Sequence, residues 1–557
     1  MKNSGFAFDI LRKRLSSFIY RSFTVLLLAS VLFACKTEVK QVEEKKQKPP
    51  EGFVYLENDS FRLAESTFFP KLMNYIICPR EIDGRIILSP SLEYDDPAVF
   101  DSNTEIESEE RLRTHFKVIK KMGFNSLRLV GLNQLDLIEA DFETSIEVFQ
   151  NRDRGNRQLN EKLTDDLVAA LRKVVEIARE EELRIMLLLP KPMKNLNYSF
   201  KKKKYVEKIL KTFSETPTIF AYDFFNEPIY FDNEEQENSK DRFREKSNAK
   251  ALVEKWLKQM KSYAPNQLLT ISFAEPIEVF EWDPSILPVD FVSIHTYHPL
   301  RVPNEIYWFS KYIKKPWIIT ETSLPADNDS IAYADQVLFL KEALQRTINC
   351  GGIGFGWWQY QDVKWGPFEH NYTPLISIGE RTELDSNTYI KGQFKDAAFS
   401  LPKLPMSKNG DCDCHVNYYN MMGYNNYKIK GTVVDEQGRG IEGAVIRGWN
   451  EYWTIGMNTF TNQKGEFNLY SNDENVHFEI SAPGYSRVSF YKELEYTPDP
   501  RTIKLEDVGL EYHGNHFQWY LDSTYAGRSV FTFDESLFSN YKTTASLGKI
   551  QLDKLDL

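Results

Sequence analysis

The chain has 557 residues, a net charge of −11, and 10 Trp, 29 Tyr and 38 Phe that make it 14% aromatic. Its length exceeds what one hydrophobic core organises, so two or three domains are expected. The acidic balance argues against nucleic acid and against charge-driven docking on anionic lipid, while the aromatic content suits either stacked sugar rings or a large core beside a β-rich domain.

The N-terminal residues read as an address rather than a fold element. Lys2, Arg12, Lys13, Arg14 and Arg21 form a basic region, and the apolar stretch 23–33 that follows is too short to span a bilayer as a helix. Val31, Leu32, Phe33, Ala34 and Cys35 resemble a bacterial lipobox, which implies lipidation of Cys35. Residues 1–35 are therefore expected to be a lipoprotein-type signal peptide and 36–52 a polar tether. The expected location is the outer membrane of a Gram-negative bacterium, with the N-terminal lipid as the sole membrane contact. Loss of the residues before Cys35 leaves 64 basic and 79 acidic residues, a net charge of −15.

Between about residues 53 and 400, apolar runs alternate with helical patterns. The runs at 71–77, 125–130, 184–189, 220–225, 268–273, 291–297, 317–320 and 353–358 are short and continuous, as in strands buried on both faces of a parallel sheet. Leu163, Leu167, Leu171, Val174, Val175 and Ala178 recur at three- and four-residue spacing and predict a helix before the third run. Val206, Ile209, Leu210 and Phe213 predict another before the fourth, and a short helix is expected near 392–399. Eight such units predict an α/β fold, a (β/α)8 TIM barrel with insertions. A doubly wound sheet shares this grammar, but no Gly-rich phosphate loop follows the first strand. The long connections 131–160 and 360–390 lie on the C-terminal side of their strands, where such a barrel builds its site.

Residues 401–426 read as a linker. Over 427–505, short alternating strands separated by Gly and Asp turns predict a small all-β sandwich domain. Its stretches 431–438, 441–446, 461–467 and 480–485 resemble the carboxypeptidase-regulatory-like domain, a likeness that implies no peptidase activity. With no aromatic strip in evidence it is expected to be a spacer or brace. Residues 506–557 form an extension of open role, and oligomeric state is equally open. Cys78 and Cys350 fall at opposite ends of the predicted barrel, too far apart for a disulfide. Asp411, Cys412, Asp413, Cys414 and His415 lack the second ligand pair of a zinc site and read as a loop with free thiols. No metal and no cofactor are expected.

Two glutamates end apolar runs 94 residues apart, Glu227 after the fourth and Glu321 after the seventh. Retaining hydrolysis of a glycosidic bond needs such a pair, one protonated and one ionised, about 5–5.5 Å apart. Arg128, near the tip of the second strand, is a candidate cation. His295 and Tyr297 are two apart on the sixth and point the same way. His295 and His298 are three apart and face opposite sides, so they do not share a metal ion. Trp357 and Trp358 end the eighth strand, and alternation lets only one of them face the axis. Singly, each residue has a bland explanation in a surface charge, a satisfied core group or packing. Together they stand in chain order at the C-terminal tips of their strands, which marks a site.

These pieces (GFNSLRL with Arg128, FNEP with Asn226 and Glu227, HTY with His295 and Tyr297, ITE with Glu321, and the late tryptophans) are similar to those of family 5-type glycoside hydrolases. That family is the cellulase and mannanase group of the (β/α)8 glycosidase clan, and the resemblance covers residues 53–400. It implies retaining hydrolysis of a β-linked polysaccharide or oligosaccharide of β-glucan or β-mannan type, with Glu227 as acid/base and Glu321 as nucleophile. It further implies that Asn226 binds the sugar 2-hydroxyl, that Tyr297 and Arg128 support the nucleophile, that His295 lines the pocket, and that Trp357 or Trp358 floors a subsite. The third strand ends in Pro190, Lys191 and Pro192, without the histidine many members carry there. The alternatives are an exo-acting β-glycosidase and a non-catalytic glycan-binding lipoprotein; the presence of both glutamates disfavours the second.

Overall fold

A computed structural model describes residues 48–90, 103–132, 135–138, 143–150, 153–191, 200–232, 244–297, 301–328, 332–362, 372–413, 427–449, 456–471, 475–493 and 543–556. Cys35 with its signal segment, residues 414–426 of the expected linker, His298 and residues 494–542 lie outside these. All the elements described belong to one compact unit, Pro49–Leu557.

Each of the eight apolar runs contains a strand of one parallel sheet. We number them β1 (Lys71–Ile82), β2 (Ser126–Val130), β3 (Arg184–Leu188), β4 (Ile219–Asn226), β5 (Leu268–Phe273), β6 (Phe291–His295), β7 (Trp317–Glu321) and β8 (Phe355–Trp357). Neighbours in the chain pair in parallel from β1 to β7. The eighth pairs with β1, Phe355 opposite Lys71 and Trp357 opposite Met73. Three backbone bonds also join its run to that of β7: Ile353 N to Trp317 O (2.9 Å), Ile319 N to Gly354 O (3.2 Å) and Trp358 N to Thr322 O (3.1 Å).

Strand alternation sorts the side chains into two environments. Met73, Tyr75 and Ile77 of β1 join the large apolar cluster that includes the helices, whereas Leu72 and Ile76 belong to two other clusters. Near the strand starts Leu72, Met186, Leu268, Phe291 and Ile318 form an apolar layer, packed with Val54 and Phe61 of the hairpin Val54–Glu57/Ser60–Leu63. Farther along, the buried residues turn polar: Asn74, Arg128, Asp223, Thr270, Ser272 and Ser293 have no exposed surface. Ile76, Val130, Leu188 and Trp358 form a smaller cluster toward the strand ends.

The helix Glu161–Glu180 buries all six residues of the predicted stripe, and Asn160 caps it by accepting a bond from Leu163 N (2.8 Å). Phe200–Phe213 forms the helix before β4, and the short helix near 392–399 is a 3-10 turn, Asp396–Phe399. Among the described residues no helix is long and apolar enough to cross a membrane. Part of the connection after β2 is regular. Leu135–Ile138, Glu143–Gln150 and Asp153–Gln158 build an antiparallel rim that meets the extended end of β1 at Arg80 and Glu81.

Two small sheets come next in the chain. Tyr427–Val434, Glu466–Ser471 and Thr543–Gln551 form one; Val445–Trp449, Gly456–Phe460, Asn475–Ser481 and Val488–Glu493 form the other. Ile429, Val433, Phe467, Leu469 and Ile550 of the first share an apolar cluster with Ile446, Phe478 and Ile480 of the second. The C-terminal extension therefore supplies a strand, parallel to Tyr427–Val434. These sheets dock on the larger one through named bonds. Trp308 Nε1 donates to Gly443 O (2.9 Å), Lys246 Nζ to Asp283 Oδ2 (3.0 Å) and Ala482 O (2.9 Å), and Gly484 N to Asp283 Oδ2 (2.8 Å).

One expectation about the cysteines is overturned. Cys412 is not a free thiol but is bonded to Cys350, with Cα atoms 4.6 Å apart. The cause is the chain's return: residues 401–413 fold back along the helix Tyr333–Asn349 instead of leaving it. Asn409 N donates to Asn349 Oδ1 (3.0 Å), Gln345 Nε2 donates to Ser407 O (3.0 Å), and Leu401 is buried. Cys350 is the C-cap of that helix and meets the returning segment. Cys78 is buried and forms no disulfide among the described residues.

At Gly356 an added β-carbon would fall 2.3 Å from Thr320 O, so the approach of β8 to β7 depends on a residue without a side chain. Gly356→Ala is expected to lower the free energy of unfolding in urea by about 2 kcal/mol or more. A loss below about 0.5 kcal/mol would show that this seam yields easily.

Candidate active site

Arg128, in the middle of β2, has no exposed surface. A guanidinium is tolerated there only if its donors and its charge are met. Nε (3.0 Å) and Nη2 (2.8 Å) donate to Asp223 Oδ2 in β4. Nη1 donates to Asn74 Oδ1 in β1 (3.1 Å) and to Glu321 Oε1 in β7, and Nη2 also reaches Asn226 Oδ1 (2.8 Å). Burial by itself would lower the Arg128 pKa, but Glu321 and Asp223 outweigh it and raise it. Asp223 and Asn226 are three apart and would face opposite sides of a regular strand; a register shift of β4 between them lets both meet one guanidinium. Ser272 Oγ of β5 also donates to Asp223. Asn74 passes the constraint on, donating to the backbone of β7 at Thr320 O (2.7 Å) and of β8 at Trp357 O (3.0 Å).

The two predicted glutamates converge on this network. Glu321 ends β7, its Oε1 bonded to Arg128 and its Oε2 to the Tyr297 hydroxyl. Burial, then the charges of Glu321 and Glu227, push the Tyr297 pKa well above its usual value, so the hydroxyl remains a donor. Glu227 follows β4 in a left-handed conformation (φ 45°, ψ 66°) as the N-cap of Pro228–Phe231. That backbone costs about 1 kcal/mol or more for a residue with a side chain. The bond from Glu227 N to Ser272 O (2.7 Å) holds it in place.

His295 stands between the carboxyls, Nδ1 at 2.7 Å from Glu227 Oε1 and Nε2 at 3.4 Å from Glu321 Oε1. Contact atoms of Glu227, His295 and Glu321 all lie within 4.8 Å of one another. These are metal-ligand types, but the Arg128 guanidinium already meets Glu321 as its cation. Burial pushes Glu227 up to about 7; Arg128 opposes this, while Glu275 and Asp223 add like charge. Burial pushes His295 down to about 4, against the pull of Glu321 and with the help of Arg128. The ring is therefore neutral at neutral pH. We assign its proton to Nε2, facing the Glu321 oxygen, so that Nδ1 accepts from protonated Glu227.

The tryptophans divide as alternation requires. Trp357 is fully buried, donates from Nε1 to Thr373 O (3.2 Å) and meets Phe339 edge-on, so it belongs to the helix layer. Trp358 is half-buried on Ile76, Val130 and Leu188 and faces the strand ends. Arg128, Asn226, Glu227, His295, Tyr297 and Glu321 thus share one network, which excludes Trp357. Sequence reasoning missed Asn74, Asp223, Ser272 and Glu275. Asn74 and Asp223 had a signal, as lone polar residues inside apolar runs. Ser272 and Glu275 had none, since only the fold brings them near Glu227.

No protein-family profile and no curated protein matches the chain. Among solved structures it is similar to an exo-β-1,4-mannosidase from an Opitutaceae bacterium (13% identity, TM-score 0.43), over 63% of this chain and 62% of that one. It is similar as well to a β-glycosidase (13% identity, TM-score 0.40), over 61% of this chain and 98% of the other. A third is an endo-1,4-β-mannanase from Eisenia fetida (14% identity, TM-score 0.36; 55% of this chain, 89% of that one).

Asp223→Ala would leave Arg128 buried with Glu321 as its remaining charged partner in the network. A loss of about 3 kcal/mol or more in chemical denaturation is expected. A loss under about 1 kcal/mol, typical of an exposed pair, would contradict this account of the buried charge.

Proposed function

We propose that the chain is a retaining glycoside hydrolase of β-linked glucan or mannan, with a closed (β/α)8 barrel over 53–400 and a β-sandwich over 427–505. The bonds of β8 to both β1 and β7 support closure. The observation that carries the reading is the pair of unlike carboxyls: Glu227 pushed up to about 7, and Glu321 bonded through both oxygens to Arg128 and Tyr297. One oxygen of Glu227 lies within 4.8 Å of one oxygen of Glu321, a nearest-atom approach that favours the closer of two known spacings. Retaining enzymes hold the groups about 5–5.5 Å apart, whereas inverting ones leave about 6.5–9.5 Å for a water.

Protonated Glu227 donates to the glycosidic oxygen while Glu321 attacks the anomeric carbon from the other face. The bond to the leaving sugar breaks as an ester to Glu321 forms. Ionised Glu227 then takes a proton from water, whose oxygen attacks the same carbon and releases Glu321 as carboxylate. Asn226 has its carbonyl turned to Arg128, which directs its amide to the sugar 2-hydroxyl, and Trp358 offers a ring at the strand ends. The basic N-terminal region, the apolar stretch 23–33 and Cys35 support export and a lipid anchor at the outer membrane.

The test is reducing-end release from β-mannan, mixed-linkage β-glucan, xyloglucan, cellulose and xylan, with Glu321→Gln alongside. One polymer should be cleaved with retained configuration, and the variant should lose about a thousandfold or more in turnover. Substantial residual turnover would assign the nucleophile elsewhere. Silence on polymers with cleavage of aryl β-glycosides would favour an exo enzyme, and silence on both a glycan-binding lipoprotein. Glu227 sets a second expectation: an acid raised to about 7 is protonated below that pH, so kcat/KM should fall as pH rises through it. A profile that stays flat from about pH 6 to 8 would remove Glu227 as the acid.

A further inference from the structure

Glu275 lies just beyond β5, and its charge bears on Glu227. Three elements fix its carboxylate. Oε1 accepts from Arg301 Nη1 (2.6 Å) and from the Tyr230 hydroxyl (3.1 Å), and Oε2 accepts from Asn458 Nδ2 (3.1 Å). Arg301 precedes the helix Val302–Tyr312, and Tyr230 belongs to Pro228–Phe231. Asn458 comes from the other side of the domain junction, in the strand Gly456–Phe460. It is 5% exposed, and its Oδ1 has no hydrogen-bond partner. A buried amide with one end unmet costs stability, so its other bond, across the junction to Glu275, is the contact that accounts for its placement. Its register partner Arg447 also acts electrostatically on the Tyr230 hydroxyl.

Tyr230, three residues after Glu227, is 42% exposed. Single exposed aromatic rings are common on protein surfaces. This one differs because its hydroxyl is tied to a carboxylate clamped by two domains, beside the group that protonates the leaving sugar. A partly exposed ring held at a set angle is a stacking surface for a sugar ring.

We propose that Asn458, on the C-terminal domain, is a positioning residue for the leaving-group side of the site: by fixing Glu275 it holds Tyr230 as the platform for the first sugar beyond the cleaved bond. The proposal rests on the glycosidase reading. It makes the smaller domain part of the enzyme's specificity.

The test compares the full chain with Asn458→Ala, Asn458→Ser, Tyr230→Ala and Lys311→Ala. The last removes a different cross-domain bond, Lys311 Nζ to Glu442 Oε1 (2.6 Å), which touches none of these residues. Substrates are cellohexaose and mannohexaose, and β-glucosyl and β-mannosyl fluoride, whose leaving group carries no ring. On the hexaose that the wild type cleaves, kcat/KM should fall about tenfold in Asn458→Ala and Tyr230→Ala, mainly through KM. The matching fluoride should change by less than about twofold, and Lys311→Ala should behave as wild type on both. Asn458→Ser, too short to reach Glu275, should repeat the loss and serves if the alanine variant does not fold. Equal losses on hexaose and fluoride, or the same loss in Lys311→Ala, would overturn the proposal and leave Asn458 a docking residue. Unchanged hexaose cleavage in the Asn458 variants would overturn it equally. A wild type inert on all four substrates would remove the β-1,4-glucan and β-1,4-mannan reading, and this proposal with it.

Discussion

Everything at this site depends on one buried positive charge. Arg128 has no exposed surface, and its guanidinium donates to Asp223, Asn74, Asn226 and Glu321, residues of β4, β1 and β7. A charge so placed is several kcal/mol unfavourable unless each donor finds an acceptor and a counter-charge is close. The strand ends are therefore arranged around the guanidinium. It requires the register shift in β4 and the turn of Asn74 toward the backbone of β7 and β8.

The same burial separates the two carboxyls chemically. Glu321 faces a guanidinium and a phenol, both donors, whereas Glu227 faces a neutral imidazole and the like charges of Glu275 and Asp223. Desolvation of Glu227 outweighs the opposing charge of Arg128, and its pKa rises to about 7. One pocket thus gives two residues of the same type unlike surroundings: two donors on Glu321, and a raised pKa on Glu227. His295 belongs to the same logic: pushed down to about 4, it lies between the pair without adding a charge.

The smaller sheets are joined to the larger by buried polar contacts rather than by chain connectivity alone. Lys246 and Asp283, both nearly unexposed, meet Ala482 and Gly484, and Trp308 bonds to Gly443. Sheets so joined move less freely than two linked by a tether. These contacts are made by backbone atoms and by residues without a sequence pattern, so the chain alone did not disclose them.

The eight parallel strands, the stripe of the helix Glu161–Glu180 and the identity of Arg128, Asn226, Glu227, His295, Tyr297 and Glu321 were legible in the chain. Hydrophobic periodicity is local, and a polar residue ending or interrupting an apolar run stands out against it. Asp223 and Asn74 stood out in the same way, though nothing local said which cation they served. Other features came only from the tertiary structure. The facing of Trp358 rather than Trp357 follows from strand parity at a strand end whose register is set by its neighbours. The Cys350–Cys412 bond follows from a chain reversal, and the strand Thr543–Gln551 from pairing with residues more than a hundred positions away. The nearness of Glu275 and Asn458 to Glu227 and Tyr230 is of the same kind. Sequence alone determined which residues could be buried and which of them carried charge; the tertiary structure decided which charges share a pocket, because partners and pKa values depend on distances between segments that no local pattern encodes.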